Sequence, residues 1–247
     1  MRLLVDVGNT RIKWCLARGR ELSDYGAVIH AGKPADEILT TAWRALTMPE
    51  RVVVANVAGK AMAESLDGYC RGHFKLMPEY VAAVSRACGV SNGYAQPAQL
   101  GADRWAAIIG AYHRQKDSVC VASCGTAITV DTVTRTGQHL GGLIAPGIGV
   151  MHKALANAAA AIPDERDGTL TLFAQDTRTA VASGILYAAA GFMQRAVTEI
   201  RAQQGAEIPV LLTGGDAEIL QPLLHGRITL APHLVLEGLA ILAEQRA

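Results

Sequence analysis

What this chain has least of is charge of one sign. Twenty-three Lys and Arg stand against 22 Asp and Glu, a formal net charge of +1. Without a basic excess, the chain is not expected to bind nucleic-acid phosphates or an anionic membrane surface. Long apolar runs are missing too. The longest uncharged helical stretch, residues 179–194, contains Ser183, Gly184 and Gly191. It falls short of the roughly 20 apolar residues a bilayer span needs. Asp6 interrupts any leader-like apolar region before it begins. Cysteine is sparse and odd in number: Cys15, Cys70, Cys88, Cys120 and Cys124 contain no Cys-x-x-Cys pair. They read as small core residues in a reducing compartment rather than a disulfide framework or a zinc site. The expectation is a soluble cytoplasmic protein with no nucleic-acid and no membrane partner.

Familiar catalytic motifs are also absent. There is no Gly-x-x-x-x-Gly-Lys-Ser/Thr loop, no His-Glu-x-x-His, no Gly-x-Ser-x-Gly and no Gly-x-Gly-x-x-Gly. The seven histidines show no ligand spacing, so each reads as a surface or core residue.

What is present is a core-forming composition, 50% hydrophobic over 247 residues, which suits one large domain or two small ones. Leu3–Val7 reads as a buried strand, followed by the turn Gly8-Asn9-Thr10 and an alternating return strand. In that return, Ile12, Trp14 and Leu16 share one face and Arg11, Lys13 and Cys15 the other. Pro34–Leu46 has helical spacing, and Arg51–Val57 is a β-branched, central-type strand. Residues 84–100 read as a long loop. A helix then starts near Gly101 and runs through Trp105, Ile108, Ile109 and Tyr112 to the charged string 113–117. That string is the expected boundary between segments 1–115 and 116–247.

The second segment opens as the first does. Strand Ser118–Ser123, turn Cys124-Gly125-Thr126 and strand Ala127–Val133 repeat the strand–turn–strand device, so two related α/β lobes are one reading and two unrelated hairpins the other. A glycine-rich transition at Gly141–Gly147, a helix over about Gly149–Ala160 and a loop over Pro163–Gly168 follow. Next come a long helix over about Thr177–Gln203 and the strand Pro209–Leu212. Thr213-Gly214-Gly215-Asp216 then opens a further helix, and the chain closes with a helix over Pro232–Glu244, long enough to return onto the first lobe.

Carboxylates at strand ends beside glycine turns suit phosphate and divalent-metal chemistry. Asp6 precedes Gly8-Asn9-Thr10; it can hold a hydrated Mg²⁺ or simply satisfy turn amides. Gly125-Thr126 is a second phosphate turn or a plain tight turn. Gly214-Gly215-Asp216 is a nucleotide approach or an ordinary capped helix start. Gly101-Ala102-Asp103-Arg104 is the sharpest cluster, with a carboxylate and a guanidinium side by side at a helix start. An ionised Asp there can accept an alcohol proton in phosphoryl transfer, and Arg104 can bind an anion. A solvated helix-start pair is the alternative.

In order and spacing these motifs resemble the type III pantothenate kinase family over nearly the whole chain. Asp6-Val7-Gly8-Asn9-Thr10-Arg11-Ile12-Lys13 is similar to its N-terminal nucleotide-phosphate motif, and Gly101–Arg104 to its catalytic motif. Gly125-Thr126-Ala127 is similar to its second phosphate motif, and Gly141-Gly142 through Pro146-Gly147 to its Gly-Gly-x-x-x-Pro-Gly segment. The resemblance implies an actin-like ATPase fold, α/β, with two ribonuclease H-like lobes around a nucleotide cleft. It implies ATP-dependent phosphorylation of pantothenate, the first step of coenzyme A synthesis, with Mg²⁺ and a monovalent cation, K⁺ or NH₄⁺. Asp103 would be the proton acceptor. Asp6, Val7, Gly8, Asn9, Thr10, Arg11, Ile12, Lys13 and Thr126 would contact ATP. Tyr94, Gly101, Ala102, Asp103, Arg104 and Thr177, or Thr179 if the register slips, would contact pantothenate in a homodimer. Two positions depart from the family pattern: Ser123 stands where an Asp binds the monovalent cation, and Asp176 stands for the common Asn. A related kinase for another small alcohol or carboxylate, and a non-catalytic accessory regulator of transcription, are the competing readings.

Overall fold

A computed structural model describes residues 1–30, 33–159, 162 and 170–245. The expected loop over Pro163–Gly168 lies outside the described residues. In chain order the elements are β1 (Arg2–Val7), β2 (Arg11–Arg18), β3 (Glu21–Ile29), α1 (Ala35–Ala42), β4 (Arg51–Asn56), α2 (Lys60–His73), β5 (Glu79–Tyr80), β6 (Arg86–Ala87), β7 (Val90–Ser91), α3 (Ala102–Gln115), β8 (Val119–Cys124), β9 (Ala127–Val133), β10 (His139–Pro146), α4 (Ile148–Ala158), α5 (Thr177–Gln204), β11 (Val210–Thr213), α6 (Ala217–Leu220), β12 (Ile228–Leu230) and α7 (Leu234–Gln245). The chain divides into two units. One holds Met1–Lys116, Arg135–His139 and His233–Ala247; the other holds Asp117–Thr134 and Leu140–Pro232.

In the first unit the strands lie in the order β3-β2-β1-β4-β5. β1 pairs antiparallel with β2 and parallel with β4, and β4 runs parallel to β5. β1 and β4 are apolar almost throughout because both faces of the sheet are covered. On one face Leu3, Val5, Ile12, Trp14 and Leu16 meet Leu39, Trp43, Leu66 and Tyr69. On the other, α7 lies against β1, β2 and β4, and this is why Cys15 is buried rather than placed on an outward polar face.

The elements not anticipated include β3 and α2 as well as the short strands β5, β6, β7 and β12. β3 is polar and mostly exposed, an edge strand with little pattern to read. α2 buries Met62, Leu66, Tyr69 and Cys70, a helical spacing that the sequence does carry. The helix expected over 34–46 is shorter, ending at Ala42. α3 and α7 cross backbone to backbone: a Cβ on Gly238 would stand 1.8 Å from the Ala106 carbonyl oxygen.

The second unit repeats the arrangement, with strand order β10-β9-β8-β11-β12. β8 pairs antiparallel with β9 and parallel with β11, and β11 runs parallel to β12. Cys120, Ala122, Cys124, Ile128 and Val130 pack against Ala189, Met193 and Val197 of α5. Both sheets thus have the ribonuclease H-like order, with a hairpin strand pair beside two parallel strands, so the repeated motif reports a repeated topology. Among the described residues no helix is long and apolar enough to cross a membrane.

Candidate active site

Each unit's first strand ends in a glycine turn. In the first unit the Gly8 N–H donates to the Arg11 carbonyl at 3.0 Å, closing the turn. His30, only 3% exposed, clasps it from β3's end. Its Nε2 lies 2.8 Å from the Gly8 carbonyl, and its backbone N–H donates to the Thr10 carbonyl at 3.1 Å. A carbonyl can only accept, so the ring hydrogen sits on Nε2. No sequence signal pointed to His30. Asn9, Thr10 and Arg11 face outward, while the Val7 and Ile12 side chains are in the core and leave only their backbone to a ligand.

Asp6 lies directly across from Lys13 in the β1–β2 register. Part of the residue's surface stays open, yet the carboxyl is surrounded by protein and is pushed up to about 7. Burial is the largest cause and the nearby Asp103 carboxylate the second; Lys13 pulls the other way.

Asp103 stands in the first turn of α3, whose N-cap is Gly101. Its Oδ1 accepts the Arg104 N–H at 2.7 Å, turning the carboxylate back over the helix start, where the exposed N–H groups favour negative charge. A side chain at 101 would collide with it, since a Cβ there would meet Asp103 Oδ1 at 2.7 Å. Ala102 and Arg104 are buried. Arg104 Nη1 donates to the Tyr94 hydroxyl at 2.9 Å, and the guanidinium lies over that ring, 5.6 Å from its centroid. The 84–100 loop therefore delivers Tyr94 to the helix that carries Asp103 and Arg104. Electrostatic proximity joins Asp6 to Asp103, so the strand-end carboxylate and the helix-start carboxylate form one acidic site in the first unit.

In the second unit the Gly125 N–H donates to the Ala127 carbonyl at 3.1 Å, and Thr126 is exposed at the tip. The Gly147 N–H donates to the Thr126 carbonyl at 2.9 Å, which ties the Pro146-Gly147 segment to this turn. Gly214 adopts φ +103, and a Cβ there would stand 2.1 Å from the Cys124 carbonyl oxygen. Asp216 precedes α6 without a side-chain cap. Ser123 lies abreast of Thr129 on one side and Thr213 on the other, a row of neutral hydroxyls. Thr177 is the exposed first residue of α5. Asp176 is that helix's N-cap, and its Oδ1 accepts the Thr179 N–H at 2.8 Å. Asp and Asn serve this role equally well, which accounts for the change from the family's usual residue.

A divalent cation fits the first unit's donor set. The Asp103 carboxylate and burial both raise Asp6, and a double positive charge would relieve the burial and the repulsion. Among the described residues no three His, Cys, Asp or Glu side chains gather to cage a metal. This suits an ion held by one or two carboxylates, with water and phosphate filling its other positions.

Residues 2–199 match the type III pantothenate kinase family. The chain belongs to that family. A type III pantothenate kinase of Nitrosococcus oceani is 38% identical, the match covering 99% of this chain and 94% of that protein. One of Methylobacillus flagellatus is 41% identical, covering 96% and 95%. Among solved structures, a conserved candidate Baf family transcriptional activator from Campylobacter jejuni superposes with TM-score 0.63 at 20% identity, covering 99% and 98%. Component A of (R)-2-hydroxyglutaryl-CoA dehydratase from Acidaminococcus fermentans gives 0.54 at 15%, covering 98% and 96%. A candidate N-acetylmannosamine kinase from Listeria monocytogenes gives 0.54 at 12%, covering 100% and 99%. At such identities the structures speak for the fold alone: two ribonuclease H-like lobes of the actin-like ATPase and sugar-kinase type. Membership in the pantothenate kinase family makes the chain a kinase, using ATP with a divalent metal.

Proposed function

We infer that this chain transfers the γ-phosphoryl group of ATP to the primary hydroxyl of pantothenate, giving 4′-phosphopantothenate, the first step of coenzyme A biosynthesis. The observation that carries the reading is Asp103 turned over the start of α3 beside a buried Arg104 that Tyr94 holds, within a chain of this family. In this reading Asp103 accepts the hydroxyl proton as the oxygen attacks phosphorus. Arg104 binds the pantothenate carboxylate, with Tyr94, Gly101, Ala102 and, from α5, Thr177 as further contacts. The backbone of the Gly8–Thr10 turn, with Arg11, Lys13 and Thr126, takes the ATP phosphates. Asp6 would hold Mg²⁺, which supplies charge neutralisation of the transferring phosphoryl group.

At the monovalent-cation position Ser123 and its neighbours Thr129 and Thr213 offer neutral oxygens only, which supports weaker K⁺ or NH₄⁺ dependence than an Asp there would confer. A potassium titration of the wild type against Ser123→Asp checks this; steep activation of the wild type would contradict it. Exposed Leu143, Ile144, Leu172 and Phe173 in the second unit support a homodimer, and the unpaired cysteines support a reducing, cytoplasmic setting. ADP release with and without pantothenate tests the reading as a whole: release that does not depend on pantothenate, across a panel of small alcohols, would defeat it.

A further inference from the structure

His139 is among the most completely buried polar residues of the protein, at 0% exposure, and nothing in the proposed chemistry uses it. It ends the segment Arg135–His139, which belongs to the first unit although β9 before it and most of β10 after it belong to the second. This segment pins the 84–100 loop at successive points. Ser91 pairs with Gln138 in a parallel bridge, and the Ser91 N–H donates to the Gly137 carbonyl at 2.8 Å. The Gly93 N–H then donates to His139 Nδ1 at 3.3 Å. An N–H can only donate, so the imidazole presents its Nδ1 lone pair there and carries its hydrogen on Nε2. The ring also stacks on Tyr94, with centroids 6.0 Å apart and planes 18° apart. Tyr94 in turn accepts from Arg104 Nη1 at 2.9 Å.

We infer that His139 is a positioning residue for pantothenate: it sets the seat and plane of Tyr94 and, through that hydroxyl, the direction of the Arg104 guanidinium. The inference rests on Tyr94 and Arg104 being the pantothenate contacts. Tyr94 sits on a long loop whose side chain is only half-buried, so its ordering must come from neighbours. His139 supplies two restraints at once, an acceptor for the residue before Tyr94 and a flat surface behind its ring. Removing them leaves Arg104 charged and present but its hydroxyl partner mobile, and the cost of ordering that partner falls on substrate binding. Because His139 acts through another side chain and not on the reacting atoms, the loss belongs chiefly in KM for pantothenate.

Steady-state kinetics with both substrates varied decide the matter. For His139→Ala, pantothenate KM should rise about tenfold, the equivalent of about 1.4 kcal/mol, with ATP KM held within about twofold. His139→Phe keeps a ring behind Tyr94 but cannot accept from Gly93; it should raise pantothenate KM about threefold or more and decides the question if the Ala protein does not fold. An unchanged pantothenate KM in folded His139→Phe would overturn the inference. So would a parallel rise of both KM values, or a fall in kcat alone. A wild type that releases no ADP with pantothenate defeats the kinase reading and this inference with it. An active wild type with an indifferent Phe variant defeats this inference only.

Discussion

Asp6 and Asp103 lie in different surroundings. Burial and the Asp103 charge raise Asp6 to about 7, whereas Asp103 lies at a helix start that favours its charge. The sign of the effect of Asp6 on stability follows from its displacement. Folded Asp6 keeps its proton up to about 7, while the unfolded group loses it near 3.8. The folded state binds more protons across that window, so stability is lost as pH rises from about 4 to about 7 and then levels off. Asp6→Asn, which carries no charge, should therefore melt above the wild type at pH 8 without metal or nucleotide, the gap closing toward pH 4. Thermal melts across that range would show it, and a gap that widens on acidification would refute the assignment. Asp103→Asn should remain folded yet lose turnover by at least about 10²-fold, the lower scale for removing a general base. Near-normal kcat in that protein would remove Asp103 from the chemistry.

At the scale of elements, the protein is sensitive where backbones touch. The α3–α7 crossing has no room for a methyl group at 238, because the nearest atom is main-chain oxygen at 1.8 Å and cannot rotate away. Gly238→Ala should cost about 2–3 kcal/mol, the upper range for overpacking, measured by chemical denaturation. A change under about 0.5 kcal/mol would mean that α7 shifts freely. The α5 cap behaves differently. Asp176→Asn keeps an acceptor for the Thr179 N–H and should leave the melting temperature unchanged, while Asp176→Ala should lower it. β1 and β4 were legible in the sequence because burial on both faces writes a continuous apolar run, and α5 because its buried residues recur at helical spacing. β3 was not, since an exposed edge strand needs no such pattern. The short pairs β6 and β7, inside a stretch read only as loop, owe their existence to contacts rather than to their own residues.

For the whole molecule, the repeated strand–turn–strand motif left two related lobes and two unrelated hairpins open, and the strand order 3-2-1-4-5 in each sheet decides for the related lobes. If the exposed apolar residues of the second unit are a subunit interface, sedimentation velocity should give a species of twice the 26.0 kDa chain mass. Phe173→Asp, altering a side chain 86% exposed, should shift it toward monomer. A monomer in the unaltered protein at micromolar concentration would rule out the stable dimer.

The order of carboxylates and glycine turns along the chain was determined by the sequence alone: a strand end, a helix start and a reversal each leave a residue-type signature that needs no distant partner. Which side chains hold those groups was decided only by tertiary structure. His30 reaches the Gly8 turn from 22 residues away, and His139 meets Gly93 across 46. Chain proximity carries no information about either contact, because folding brings such residues together through the packing of sheets and helices rather than through any local preference of their own.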